Sequence, residues 1–137
     1  MRVFLDTNVL ASAIATRGIC ADVLQVTLAE HELVLGEKVL AELSRVLRTK
    51  FRVRSEDVDE TDTFLRREAE VIAEAPRLGI HFADADDVTV LEQAVAGQSD
   101  LFVTGDRALL EAEMKLPLRV LSPRGFWDSM RETASED

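Results

Sequence analysis

Apolar residues along the chain alternate between short unbroken runs and longer stretches at helical spacing. Val3-Phe4-Leu5, Leu33-Val34-Leu35 and Leu101-Phe102-Val103 are unbroken runs. Each is closed by a turn-forming group: Asp6-Thr7-Asn8, Gly36 and Thr104-Gly105-Asp106. Such runs read as buried strands. Between them, residues 8 to 16 read as a helix broken at Gly18, and Ala21 to Glu30 as a second helix, with Val23, Leu24, Val26 and Leu28 facing inward. Glu37 to Leu47 carries Val39, Leu40, Leu43, Val46 and Leu47 at helical spacing, which leaves Glu42 on a different face from the apolar stripe. Ser55 is placed to cap a long amphipathic segment whose buried side is Val58, Phe64, Leu65, Ala69 and Ile72. The end of that segment, Val71-Ile72-Ala73, reads equally well as a strand, and Pro76 stops it in either case.

The second half repeats the alternation. Asp84-Ala85-Asp86-Asp87 precedes a helical run from Val88 to Ala96, and Gly97 stands where a helix commonly ends. After the run at 101–103, a helix is expected from Asp106 through Met114. A last strand is expected at Val120-Leu121, and a short final helix around Pro123, Phe126, Trp127 and Met130. Strands alternating with helices predict an α/β fold with a mainly parallel sheet covered on both faces. In such sheets ligands bind beyond the carboxyl ends of the strands. Asp6 and Asp106, each directly after a strand, are therefore expected on one edge. Residues 1–132 form one expected domain, with 133–137 as a disordered tail.

Composition narrows the class. With 47% hydrophobic and 31% charged residues, the 137-residue chain can build a real core, and with six Phe, one Trp and no Tyr that core must be mostly aliphatic. Neither a signal-type leader nor an apolar run long enough to span a bilayer is present, so the expectation is a cytoplasmic protein without membrane attachment. The single cysteine, Cys20, has no partner for a disulfide and sits as a small core residue would. The formal net charge of −10 argues against a nucleic-acid enzyme, since phosphate backbones attract basic surfaces. A carboxylate cluster built for a dication would, however, add negative charge by design, and the bound ion would reverse the local field. One basic stretch exists, Arg45, Arg48, Lys50, Arg52 and Arg54. It reads either as a solvated helix end or as a phosphate-backbone contact.

The acids also carry two readings. Asp6 and Asp106 are placed to cap helices. Asp84, Asp86 and Asp87 suit a helix N-terminus, and Glu42 alone is an ordinary solvated helix residue. Capping does not require so many carboxylates after apolar strands, and a cluster of them without cations would be self-repelling. An oxygen-only donor set points to Mg²⁺ or Mn²⁺. His31 and His81 lack the spacing and the cysteine companions of a zinc site.

Four segments together resemble the PIN domain. Leu5-Asp6-Thr7-Asn8-Val9-Leu10 with Ser12 is similar to its N-terminal signature, and Ala41-Glu42-Leu43 to its second acidic position. Asp86-Asp87 followed by apolar residues and Ala94 is similar to its third, and Val103-Thr104-Gly105-Asp106-Arg107-Ala108-Leu109-Leu110 to its fourth. The match covers nearly the whole chain in the right order. The resemblance implies a PIN-like three-layer α/β/α sandwich of the branch that includes toxin components of bacterial or archaeal toxin–antitoxin systems. It gives Asp6, Glu42, Asp87 and Asp106 the roles of metal ligands around one or two Mg²⁺ or Mn²⁺ ions. Asp87 is preferred to Asp86 for its seven-residue distance to Ala94. Many relatives carry proline where this chain has Ala85, and Asp84 or Asp86 becomes a partner to the ligands rather than a ligand. Asn8 and Thr104 are expected to hold ligands or the turn by hydrogen bonds.

The implied activity is hydrolysis of RNA phosphodiesters by a metal-activated water in line with the leaving 3′ oxygen, giving 5′-phosphate and 3′-hydroxyl ends. Two ions, if bound, would lie about 3.5 to 4 Å apart. Asp6 would anchor the principal ion, Asp87 and Asp106 would complete its shell, and Glu42 would orient the water. The implied partners are RNA, a cognate antitoxin and a second copy of the chain. Arg48, Lys50, Arg52 and Arg54 become the expected RNA contacts, and Phe126, Trp127 and Met130 belong either to the core or to an interface. The non-enzymatic alternative is a silent PIN-fold module that binds an antitoxin or RNA. Phosphatases with an aspartate nucleophile need a second aspartate where this chain has Asn8. Receiver domains want a lysine after the last strand, where Pro117-Leu118-Arg119 stands.

Overall fold

The computed structural model describes residues 1–136 except Ala83; for 133–136 only the backbone is described, and Asp137 lies outside. Five strands, β1 (Arg2–Leu5), β2 (Glu32–Gly36), β3 (Glu70–Ile72), β4 (Leu101–Val103) and β5 (Arg119–Leu121), form one sheet in the order β3-β2-β1-β4-β5. Every pairing is parallel. Helices α1 (Thr7–Ala15), α2 (Ile19–Glu30), α3 (Glu37–Thr49), α4 (Ser55–Glu68), α5 (Ala85–Ala96), α6 (Arg107–Glu111) and α7 (Pro123–Glu136) complete an α/β/α sandwich. No single described helix is long and apolar enough to cross a membrane; α1 and α2 reach that length only as a pair bent by 102°.

Strand β1 is the centre of the sheet and is buried from Val3 onward, which is why its sequence shows no polar alternation. Phe4 and Phe102, paired in register, stack at 5.4 Å between ring centres. They tie the two central strands together with large apolar surfaces. The chain builds β2 and β3 on one side of β1, then crosses back to lay β4 and β5 on the other. The order therefore reverses between β1 and β4, and a crevice opens beyond their carboxyl ends.

Several expectations change in detail. Val71 and Ile72 are strand, because they pair with Leu35 and Gly36 of β2, a long-range contact that local periodicity does not encode. Ser55 does not cap α4; the cap position is Arg54, which makes no side-chain capping bond. Phe64 is 39% exposed, while Val58 and Leu65 are buried. Helix α4 packs mainly along α3, as the pairs Arg66–Glu37 and Arg48–Asp59 show, and a helix docked on one neighbour buries only a narrow stripe. The helix expected through Met114 stops at Glu111 and continues as a 3-10 turn, Glu113–Lys115. Pro117 forces Leu116 to be extended, and Met114, 98% exposed, has no core to hold it. Helix α5 begins at Ala85 rather than Val88, with Asp84 as its cap. The final helix is longer than expected and opens on Pro123 at its first position. Its Phe126 is fully buried, Met130 packs on the core and Trp127 is half-buried. The backbone of α7 is helical through Glu136, within the expected tail at 133–137.

Gly97 ends α5 against the sheet. A Cβ there would stand 2.6 Å from Val34 Cγ1 and 3.1 Å from Ile72 Cγ1, in a wall that cannot yield easily because Val34 is fully buried. Gly97→Ala is expected to cost about 1–2 kcal/mol through overpacking. Urea denaturation of the metal-free protein measures it, and an unchanged midpoint would contradict the tight fit.

Candidate metal centre at the sheet switch point

Asp6 follows β1 directly. Its backbone N–H donates to Val103 O at 2.9 Å, stitching the ends of β1 and β4. Its side chain caps α1, Oδ1 accepting from Thr7 N at 2.8 Å, while Oδ2 accepts from the Thr104 hydroxyl at 2.7 Å. Thr104, wholly buried, accepts in turn from Asp106 N at 3.0 Å. One threonine thus joins the loops after both central strands. Asp106 caps α6 through Oδ1, which accepts from Ala108 N at 2.8 Å. Asp84 caps α5 by accepting from Asp86 N at 2.8 Å. Glu42 leans from α3 toward the same place, its Oε2 accepting from Thr7 Oγ1 at 3.0 Å.

Capping and ligation are therefore not rivals here. A carboxylate offers about four lone-pair sites, and a cap uses one or two. Asp106 keeps Oδ2 unused, and Asp87 makes no side-chain hydrogen bond among the described residues.

The electrostatics tie the group together. Burial, followed by the charges of Asp84, Asp6, Asp106 and Glu42, pushes the Asp87 carboxyl up to about 6. Burial also raises Asp6, with Asp106 adding to it and the bonds from Thr104 and Thr7 opposing it. Asp87 thus senses each of the other expected ligands. The donor chemistry suits a hard dication, which would relieve this repulsion. As the side chains stand, no three His, Cys, Asp or Glu among the described residues converge closely enough to hold one ion. To hold one ion, three of these carboxylates would have to come closer together.

The raised Asp87 carboxyl gives a pH dependence. An unfolded aspartate loses its proton near pH ~4, whereas folded Asp87 keeps it to about 6. The folded state binds more protons in that window, so stability is highest below it and falls as pH rises through it. Because Asp87 is half-exposed, the loss is on the order of 1 kcal/mol, or about 4 °C in melting temperature. In chelator, wild type should lose more stability between the two ends of that window than Asp87→Asn does; equal pH slopes would refute the shift.

Among the other expected residues, Asn8 is exposed and makes no side-chain hydrogen bond among those described. Asp86 is exposed and pairs with Lys38 at 2.9 Å. The basic stretch lies at the α3–α4 turn rather than among the acids. Arg48 pairs with Asp59, Arg54 with Asp57, and Lys50 lies over the Phe51 ring, while exposed Arg52 turns the chain with φ 53°. Thr7 and Lys38 were missed by the sequence reading. Thr7 lies inside the N-terminal signature, and Lys38 lies four residues before Glu42, the spacing that places two side chains on one helix face.

The fold agrees with comparisons to known proteins. The fold is shared with the solved structure of VapBC2 from Rickettsia felis bound to a DNA fragment from their promoter. That match has TM-score 0.64 and 19% identity, and covers 89% of this chain and 98% of that one. It is shared also with VapBC-1 from nontypeable Haemophilus influenzae, at TM-score 0.65 and 16% identity, covering 90% of this chain and 99% of that one. No curated protein matches significantly. The family model described as PIN domain matches residues 2–108, a span that holds all four acids and every strand but the last. The chain belongs to the PIN domain family.

Proposed function

We propose that this chain is a metal-dependent endoribonuclease, acting as the toxin of a toxin–antitoxin pair. The observation that carries the reading is the acid edge at the switch point. There Asp6 and Asp106 are linked through Thr104, and the Asp87 carboxyl is raised by burial and, after it, by the charges of Asp84, Asp6, Asp106 and Glu42. A bound Mg²⁺ or Mn²⁺ would polarise the phosphate and lower the pKa of a water. Asp6 would anchor the ion, Asp87 and Asp106 would close around it, and Glu42, steadied by Thr7, would orient the attacking water. Water adds to phosphorus as the bond to O3′ breaks, leaving a 5′-phosphate and a 3′-hydroxyl. The likeness to VapBC assemblies supports an antitoxin as partner. A homodimer and a cytoplasmic location fit the same reading.

The test is incubation of the purified chain with single-stranded RNA in Mg²⁺ or Mn²⁺, with and without chelator. Cleavage that disappears with chelator supports the proposal. The second reading, a silent PIN-fold module, draws on the failure of any three acids among the described residues to converge. Titration calorimetry with Mn²⁺ separates the two: a chain that binds no Mn²⁺ and cleaves no RNA is the module.

A further inference from the structure

The acid edge has a charge problem. Asp6, Glu42, Asp84, Asp86, Asp87 and Asp106 gather on a chain of net charge −10, and the substrate proposed above is a polyanion. Among the described residues, the only cation ion-paired to any of those six is Lys38. Its ammonium stands 2.9 Å from Asp86 Oδ1 on α5 and 4.0 Å from Glu42 Oε1 on its own helix, so it spans the gap between α3 and α5.

The backbone of Lys38 is anchored, and its side chain is held only by solvent-open ion pairs. The Lys38 N–H donates at 3.2 Å to Oε1 of buried Gln93, whose Nε2 donates to Ala73 O at 3.3 Å. The side chain, 32% exposed, leads to an ammonium with three donors on a flexible stem. Its main partner, Asp86, is 66% exposed, and a pair so open to water is readily exchanged.

We propose that Lys38 binds a non-bridging phosphate oxygen of the RNA at the acid edge, and that the pair with Asp86 parks the ammonium there until substrate arrives. This rests on the ribonuclease reading. The bland role for the same geometry is a staple between α3 and α5, in which the pair with Asp86 is the purpose.

The test is fluorescence anisotropy with a labelled mixed-sequence single-stranded RNA, in Ca²⁺ so that binding is read apart from cleavage, across a salt series. Lys38→Gln is expected to weaken binding about tenfold, as for one charge-assisted hydrogen bond. It should also reduce the slope of log affinity against log salt by about 0.7, as for one single-strand phosphate contact. Lys38→Arg should keep both, and Asp86→Asn, which frees the ammonium, should bind at least as well as wild type. Three results overturn the proposal. Lys38→Gln could bind with wild-type affinity and slope. Asp86→Asn could lose binding and melting temperature in step with Lys38→Gln, which is the staple. Wild type could bind no RNA, and then the ribonuclease reading falls with it.

Discussion

Asp6→Asn is expected to lower RNA cleavage by at least about a thousandfold while leaving the fold intact. The size follows from the role proposed for the anchoring carboxylate. Losing several kcal/mol of metal-derived transition-state stabilisation costs a factor of ten for every ~1.4 kcal/mol. The fold should survive because asparagine keeps what the architecture uses. Its Oδ1 can still accept from Thr7 N, and its amide can donate to Thr104 Oγ1, although the Thr104 hydroxyl proton then loses Oδ2 as its acceptor. Removing a charge that burial already disfavours should offset the lost Thr104 bond, so the metal-free protein should remain folded. Initial cleavage rates in Mg²⁺, read beside thermal melting, check both halves. A variant within tenfold of wild type, or cleavage that persists in excess chelator, would point to a contaminant or a different mechanism.

Thr104→Val is expected to reduce cleavage by about ten- to a hundredfold, and stability by about 1–2 kcal/mol. Valine fills the same buried space but removes the hydroxyl that donates to Asp6 Oδ2 at 2.7 Å and accepts from Asp106 N at 3.0 Å. Asp6 then loses its orientation, and Asp106 N, already part-buried, loses its acceptor. Thr104 positions ligands rather than touching substrate, so the loss should fall on kcat and metal affinity more than on KM. Thr104→Ser should restore most of the activity because it keeps the hydroxyl. If serine fails to rescue while the protein remains folded, the hydrogen bonds are not what matters.

By itself the sequence determined four of the five strands, the existence of the helices and the places where chemistry could sit. Three-residue apolar runs closed by Asp6, Gly36 and Thr104-Gly105-Asp106 mark buried parallel strands, because a strand covered on both faces needs no polar alternation. The segments around Asp6, Glu42, Asp87 and Asp106 carried the family resemblance, and the PIN domain match over residues 2–108 bears it out. What sequence could not supply was any fact resting on contact between distant segments. Residues 71–72 had no fixed reading until pairing with β2 made them a strand. Phe64 belonged to the apolar pattern yet lies exposed, since periodicity records the width of a stripe and not the neighbour that covers it.

The acids divide in the same way. Spacing placed Asp6 and Asp106 after strands, and only the sheet order β3-β2-β1-β4-β5 made those strands neighbours at a reversal of the chain. Tertiary structure alone brought Thr104 between them, turned Thr7 toward Glu42 and set Lys38 against Asp86. The physical reason is range. Helix and strand preferences are settled within a few residues, whereas hydrogen bonds and charge repulsion act through space, between side chains that stand 35 to 98 positions apart in the chain.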